Sequence, residues 1–246
     1  MPRSARIVFS AHGVAPTVRE RARTRGLTTI DATCPLVAKV HAEARHYAAR
    51  GYSIILIGHS GHEEVEGTTG EAPDAILLVE TIEDAERVSL PQTERVAYLS
   101  QTTLSLDETA AIVEVLQRRF PTIEAPKRED ICYATTNRQR AVTALLGEID
   151  LLLVIGSQNS SNSNRLVEVA RVRGLPAHLI DDESEIDSAW LAGVVSVGVT
   201  LGASAPESLL RRVVAWFRAR GVEEIHVQKA PLENVSFRLP AEIRRH

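Results

Sequence analysis

The chain has 246 residues, is 44% hydrophobic and carries a net charge of −4, from 28 Lys and Arg against 32 Asp and Glu. That length can bury more than one core and suggests about two domains, while the mildly negative charge offers nothing to attract nucleic acid or an anionic membrane. No apolar run approaches the roughly 20 residues of a spanning helix and the N-terminus lacks a charged-then-apolar signal, so the expectation is a cytoplasmic protein that binds neither membrane nor nucleic acid.

In chain order, Val8-Phe9 runs into Ser10-Ala11-His12, and Pro16 opens a helix. Asp31-Ala32-Thr33-Cys34-Pro35 then leads into an amphipathic helix over Val37 to Ala49, on which His41 and His46 are expected to face solvent. Ile54 to Ile57 reads as a buried parallel strand, being continuously apolar rather than alternating, and ends in Gly58-His59-Ser60-Gly61-His62. Val96 to Leu99 is a second such strand, ending in Ser100-Gln101-Thr102, and a helix over Glu108 to Arg119 follows. The polar stretch from Pro121 to Asp130, with two prolines, is the best domain boundary. Beyond Cys132 come a strand over Leu151 to Ile155, a helix over Arg165 to Arg173, a strand over Val194 to Val199 and a helix over Glu207 to Arg218. From Glu223 onward the chain reads as a closing strand and a basic tail.

These elements repeat. Cys34 and Cys132 lie 98 positions apart (132 minus 34), and so do Gly58 and Gly156 (156 minus 58), each glycine closing a buried strand. A strand ending in small or hydroxyl residues occurs three times, at Ser10, Ser100 and Thr200. The βαβα pattern implies α/β layers with right-handed crossovers. The expected fold class is a pseudo-threefold repeat of small parallel-sheet α/β domains with the first truncated: 1–30 as its remnant, 31–128 as the second and 129–246 as the third with a C-terminal tail. The spacing would put a third cysteine before position 1.

In open α/β sheets ligands bind beyond the carboxyl ends of strands, where Cys34, Cys132, His12, His62, Glu64, Thr102, Ser160 and Ser204 all fall. Each cysteine alone is compatible with plain burial. Paired placement before helix starts instead suits thiolates, for nucleophilic attack or for metal. The run Gly156 to Arg165, rich in hydroxyls and amides and free of carboxylates, suits a phosphate group at a helix N-terminus. His59 to Glu66 is open to zinc binding, or to histidines holding phosphate with Glu64 as proton carrier, with Glu63 and Glu66 as surface charges.

Taken together, Ser10 to Val14, Asp31 to Val37, Gly61 to Thr68, Ser100 to Thr103, Asp130 to Arg138, Gly156 to Arg165 and Gly202 to Pro206 resemble the 4-hydroxy-3-methylbut-2-enyl diphosphate reductase family over essentially the whole chain. The resemblance implies an oxidoreductase of the methylerythritol phosphate route to isoprenoids. Two electrons and protons remove an allylic hydroxyl, giving isopentenyl and dimethylallyl diphosphate at a 4Fe-4S cluster. It makes Cys34 and Cys132 cluster ligands; His12, His62, Ser160, Ser161, Asn162 and Ser204 binders of the isoprenoid diphosphate; and Glu64 and Thr102 the catalytic pair. Electrons are implied to come from a ferredoxin or flavodoxin type of partner.

Glu63 stands where the family usually has proline, which adds a charge near the site. The family's N-terminal segment, with a Cys-Ala-Gly-Val type motif and a further histidine, has no counterpart here, so the third cysteine ligand is missing and the expected activity is impaired or absent. A start assigned too late, at Met1 where related chains often have Val-Pro, would account for this. The alternatives are a cofactor-free two-thiol racemase and a non-catalytic remnant that binds diphosphate.

Overall fold

The computed structural model describes residues 5–228, 235–240 and 242–244. The chain divides into two compact units. The first holds the described residues up to Thr102, Asp107–Cys132 and those after 234; the second holds Thr103–Leu106 and the described residues from Tyr133 to 228.

In the first unit, β1 (Arg6–Phe9) and β2 (Thr28–Asp31) form a two-stranded parallel sheet joined through α1 (Pro16–Thr24). Proline at the start of α1 fixes φ where no amide donor is needed. There follow α2 (Pro35–Ala49), β3 (Ser53–Ile57), α3 (Glu63–Glu71), β4 (Ile76–Val79), α4 (Ile82–Arg87), β5 (Val96–Ser100) and α5 (Leu106–Arg119), with a parallel sheet in the order β4-β3-β5. All five residues of β3 are buried, as a central strand covered on both faces must be. Ile54 and Leu56 pack with Val40, Ala44 and Tyr47 of α2 and Val65 of α3.

The second unit contains α6 (Tyr133–Leu145), β6 (Leu151–Ile155), α7 (Ser161–Val172), β7 (Ala177–Ile180), β8 (Val197–Leu201) and α8 (Glu207–Arg218), with a parallel sheet in the order β7-β6-β8. Leu152 and Val154 face Leu166, Val169 and Ala170 of α7, while Leu151, Leu153 and Ile155 share a cluster with Val213 of α8.

Among the described residues three parallel sheets, the first with two strands and the others with three, are the α/β repeat read from the sequence. The repeat extends to contacts. A β-carbon on Gly58 would lie 2.6 Å from Val65, and one on Gly156 would lie 2.2 Å from Ser163, the residue 98 positions beyond Val65. In both sheets the helix after the central strand presses on the residue that follows the strand, and only glycine leaves room.

Three expectations need correction. His41 is 2% exposed rather than solvent-facing, because its side of α2 packs against Gly13 and Gly67. The last sheet strand runs Val197–Leu201; Val194–Ser196 precede it, with Val195 exposed and Asp150 accepting from the amides of Val195 and Ser196. The Pro121 to Asp130 stretch ends just before the division between the units at Cys132, and its Glu124 pairs with β5 through Tyr98 and Val96. Residues 223–228 form no strand, and the rest of that expected strand lies in part outside the described residues.

Candidate functional site

Five expected residues of the first unit are linked by direct contacts at the carboxyl ends of the strands. The His12 and His62 rings meet edge to face with centroids 5.1 Å apart. His62 caps α3, its Nδ1 accepting the Glu64 amide N–H at 3.2 Å. That bond needs an unprotonated Nδ1, so a neutral His62 carries its proton on Nε2 and presents a donor. The Glu64 carboxylate accepts the Thr102 amide N–H at 2.6 Å and the Thr102 hydroxyl at 3.0 Å. Cys132 donates its amide N–H to the Thr102 carbonyl at 3.0 Å. Cys34 donates its own to the carbonyl of Ala11, the neighbour of His12, at 2.9 Å.

The electrostatics follow from burial. Glu64 is 1% exposed, and loss of water pushes its carboxyl up to about 7 against the downward pull of the two Thr102 bonds. A carboxyl so poised is half protonated near neutrality, as a proton donor requires. Burial, then the His12 ring, lower the pKa of His62 and favour the neutral donor form. Asp130 is also raised, to about 6, by burial that outweighs the opposing Lys39 ammonium.

In the second unit the polar run becomes the first turn of α7. Ser160 caps the helix, accepting from the Ser163 amide at 3.3 Å and the Ser163 hydroxyl at 3.0 Å. The Asn162 Oδ1 accepts from the amide of Ala203, the neighbour of Ser204, at 2.8 Å, which ties the β8 loop to this turn. The hydroxyl of Ser161 lies 2.9 Å from that of Thr103. Ser160, Ser161, Asn162 and the exposed Ser204 thus lie at the carboxyl ends of the paired strands β6 and β8, where the amides of a helix N-terminus offer donors to an anion. Ser163 meets Gly202 as well as Gly156, since a β-carbon on Gly202 would lie 2.1 Å from its hydroxyl.

The His59 to Glu66 segment does not converge as zinc ligands would. Glu63 accepts from Ser10 at 3.1 Å, Glu64 turns to Thr102, and the His59 ring lies 3.9 Å from Glu80. Among the described residues no three histidine, cysteine or carboxylate side chains form a group able to hold a metal ion.

Residues 2–218 match the family model described as LytB protein. The chain is also 57% identical over 246 residues to a 4-hydroxy-3-methylbut-2-enyl diphosphate reductase of Acidothermus cellulolyticus, covering all of this chain and 72% of that one. The chain belongs to the LytB family. A second relative, 4-hydroxy-3-methylbut-2-enyl diphosphate reductase 1 of Mycobacterium tuberculosis, is 53% identical over 243 residues, or 99% of this chain and 74% of that one. The solved E-1-hydroxy-2-methyl-but-2-enyl-4-diphosphate reductase of Plasmodium falciparum superposes with a TM-score of 0.89 at 37% identity, covering 98% of this chain and 77% of that one.

As a LytB chain it can be asked whether its donors suit an iron–sulfur cluster. Cys34 and Cys132 are both partly exposed, neither is in a disulfide, and each immediately precedes a helix. In kind they fit as two ligands of such a cluster. No helix among the described residues is long and apolar enough to cross a membrane.

Three residues that the sequence pattern does not single out brace the expected ones. Gln101, 1% exposed, accepts the His59 amide N–H at 3.1 Å and so braces the turn leading to His62. Lys39 and Asp130 pair at 2.7 Å. Gln101 stood in the repeated Ser100-Gln101-Thr102 landmark and Asp130 directly before Ile131-Cys132, but neither position announces its partner.

Proposed function

We propose that this LytB chain is built for the reductive dehydroxylation of 4-hydroxy-3-methylbut-2-enyl diphosphate. Two electrons and two protons replace the allylic hydroxyl by hydrogen and release it as water, giving isopentenyl and dimethylallyl diphosphate. The observation that supports this best is the buried Glu64 carboxyl, raised to about 7 and oriented by both donors of Thr102, next to a histidine capped so as to present Nε2–H.

In this reading the first turn of α7 takes the diphosphate through Ser160, Ser161 and Asn162, with Ser204 from the adjoining loop. His12 and His62 donate ring N–H groups to its oxygens, His62 as the neutral ring that burial favours. Glu64 holds a proton at its carboxyl and delivers it to the departing hydroxyl, while Thr102 fixes the carboxyl's direction and keeps water from competing for it. A 4Fe-4S cluster, when bound, supplies the electrons, with Cys34 and Cys132 as the thiolates this chain offers and a ferredoxin or flavodoxin type of carrier as the reductant. The resemblance implies three cluster ligands, of which the 246 residues offer two cysteines. Membership of the LytB family speaks against the racemase reading.

The test is Glu64→Gln, in a cluster-loaded protein. Substrate affinity by calorimetry should stay within about threefold while turnover falls by about 10²–10⁴, the usual contribution of a positioned acid. Unchanged turnover would remove Glu64 as the proton carrier.

A further inference from the structure

Only 3 of the 28 basic residues are lysine: Lys39, Lys127 and Lys229. Lys39 lies on α2, one turn beyond Cys34, which opens that helix. Its ammonium donates to the carbonyl of Arg128, to that of Glu129 at 3.5 Å and to the Asp130 carboxylate at 2.7 Å, and lies 3.5 Å from Glu43. The Asp130 side chain is fully buried, and its other oxygen accepts the amide N–H of Ser100 at 2.9 Å, at the end of β5. Cys132 follows two residues later, held through its own amide to Thr102.

We infer that Lys39 is a positioning residue that fixes the loop carrying Cys132 to the helix carrying Cys34, and so sets the spacing of the two thiols. One ammonium closes three successive acceptors of a single turn, residues 128 to 130, and Asp130 passes the constraint to β5. A lone surface ion pair would contribute little. This one is different, because removing Lys39 leaves a buried carboxylate without its cation. The geometry also accounts for a lysine in an arginine-rich chain. A planar guanidinium is wider than an ammonium and cannot send three donors into one tight turn without displacing it.

The inference rests on the reading of Cys34 and Cys132 as one thiol pair, and the experiment separates the two. The metal-free, reduced chain is treated with dibromobimane, which becomes fluorescent when both arms have displaced bromide on two thiolates, and the bridging rate is divided by the rate of single alkylation with iodoacetamide. Parent protein should bridge Cys34 to Cys132, confirmed by peptide mapping. Lys39→Met and Lys39→Arg should each lower the normalised bridging rate at least about tenfold, since bridging reports effective concentration. Lys127→Met, at an exposed position, should not change it. Asp130→Asn keeps an acceptor for Ser100 while losing the charge, and should match the Lys39 variants without adding to them in the double variant. Reduced thermal stability with unchanged bridging in Lys39→Met and Lys39→Arg would overturn the inference and leave Lys39 a purely structural residue. No bridging in the parent would overturn the thiol-pair reading itself.

Discussion

Glu64→Gln tests the electrostatics of the site through stability alone, without substrate or cluster. The Glu64 carboxyl rises from an ordinary 4.5 to about 7 on folding. Each pH unit of such a difference is worth about 1.4 kcal/mol, so keeping the ionised form buried costs about 3 kcal/mol. The sign is fixed by proton counting. Between pH 4.5 and 7 the folded protein binds more protons than the unfolded one, so stability falls as pH rises through that window and the cost is complete above it. Glutamine never ionises, and it can accept the Thr102 amide with its oxygen and donate to the Thr102 hydroxyl with its nitrogen. The variant should therefore be about 2–3 kcal/mol more stable than the parent at pH 8.5, and equal to it near pH 4. With a urea slope of a few kcal/mol per molar, the midpoint should rise by about 1 M at the higher pH. Far-ultraviolet circular dichroism, which follows the helices of both units, is the suitable probe. A parent-to-variant difference equal at both pH values would refute the argument that burial controls this carboxyl.

The pressing of each helix on its strand end should be separable by paired substitutions. Gly58→Ala should cost about 1–3 kcal/mol by overpacking against Val65, and adding Val65→Ala should recover part of it in urea midpoints. Ser160→Ala, which removes the cap of α7, should cost about 1 kcal/mol and also weaken calorimetric binding of 4-hydroxy-3-methylbut-2-enyl diphosphate. His41 titrates in the opposite sense to Glu64. Burial lowers its pKa although Glu71 lies 2.9 Å away, with Arg19 and Arg45 opposing protonation, so its folded form binds fewer protons and stability declines as pH falls below about 6.5. His41→Asn should flatten that acid-side decline relative to the parent, measured by unfolding at pH 7.5 and 5.

Much of this architecture was legible because it is periodic or local. The 98-residue repeat placed β3 and β6, both continuously apolar, and the glycines that end them. Strand ends, where an α/β sheet receives ligands, located His12, His62, Glu64 and Thr102 before any contact between them was known. Long-range polar pairs were not legible. Lys39 meets Asp130 across 91 positions, and His41 meets Glu71 across 30, on a helix whose polar and apolar faces differ weakly. The helix pattern gave His41 to solvent because it registers residue type, not that Gly13 and Gly67 clear a space for the ring. Val194 to Val199 reads as a near-continuous apolar run, yet the Asp150 side chain bonds the amides of Val195 and Ser196 ahead of the strand start.

The most direct test of the reductase reading compares the 246-residue chain with the same chain preceded by the N-terminal segment of the Acidothermus cellulolyticus relative. Iron, acid-labile sulfide and conversion of 4-hydroxy-3-methylbut-2-enyl diphosphate would be measured anaerobically on both. The account expects a full four-iron cluster with formation of isopentenyl and dimethylallyl diphosphate in the extended chain, and substoichiometric iron with weak turnover in the shorter one. A fully loaded extended chain that forms neither product would contradict it.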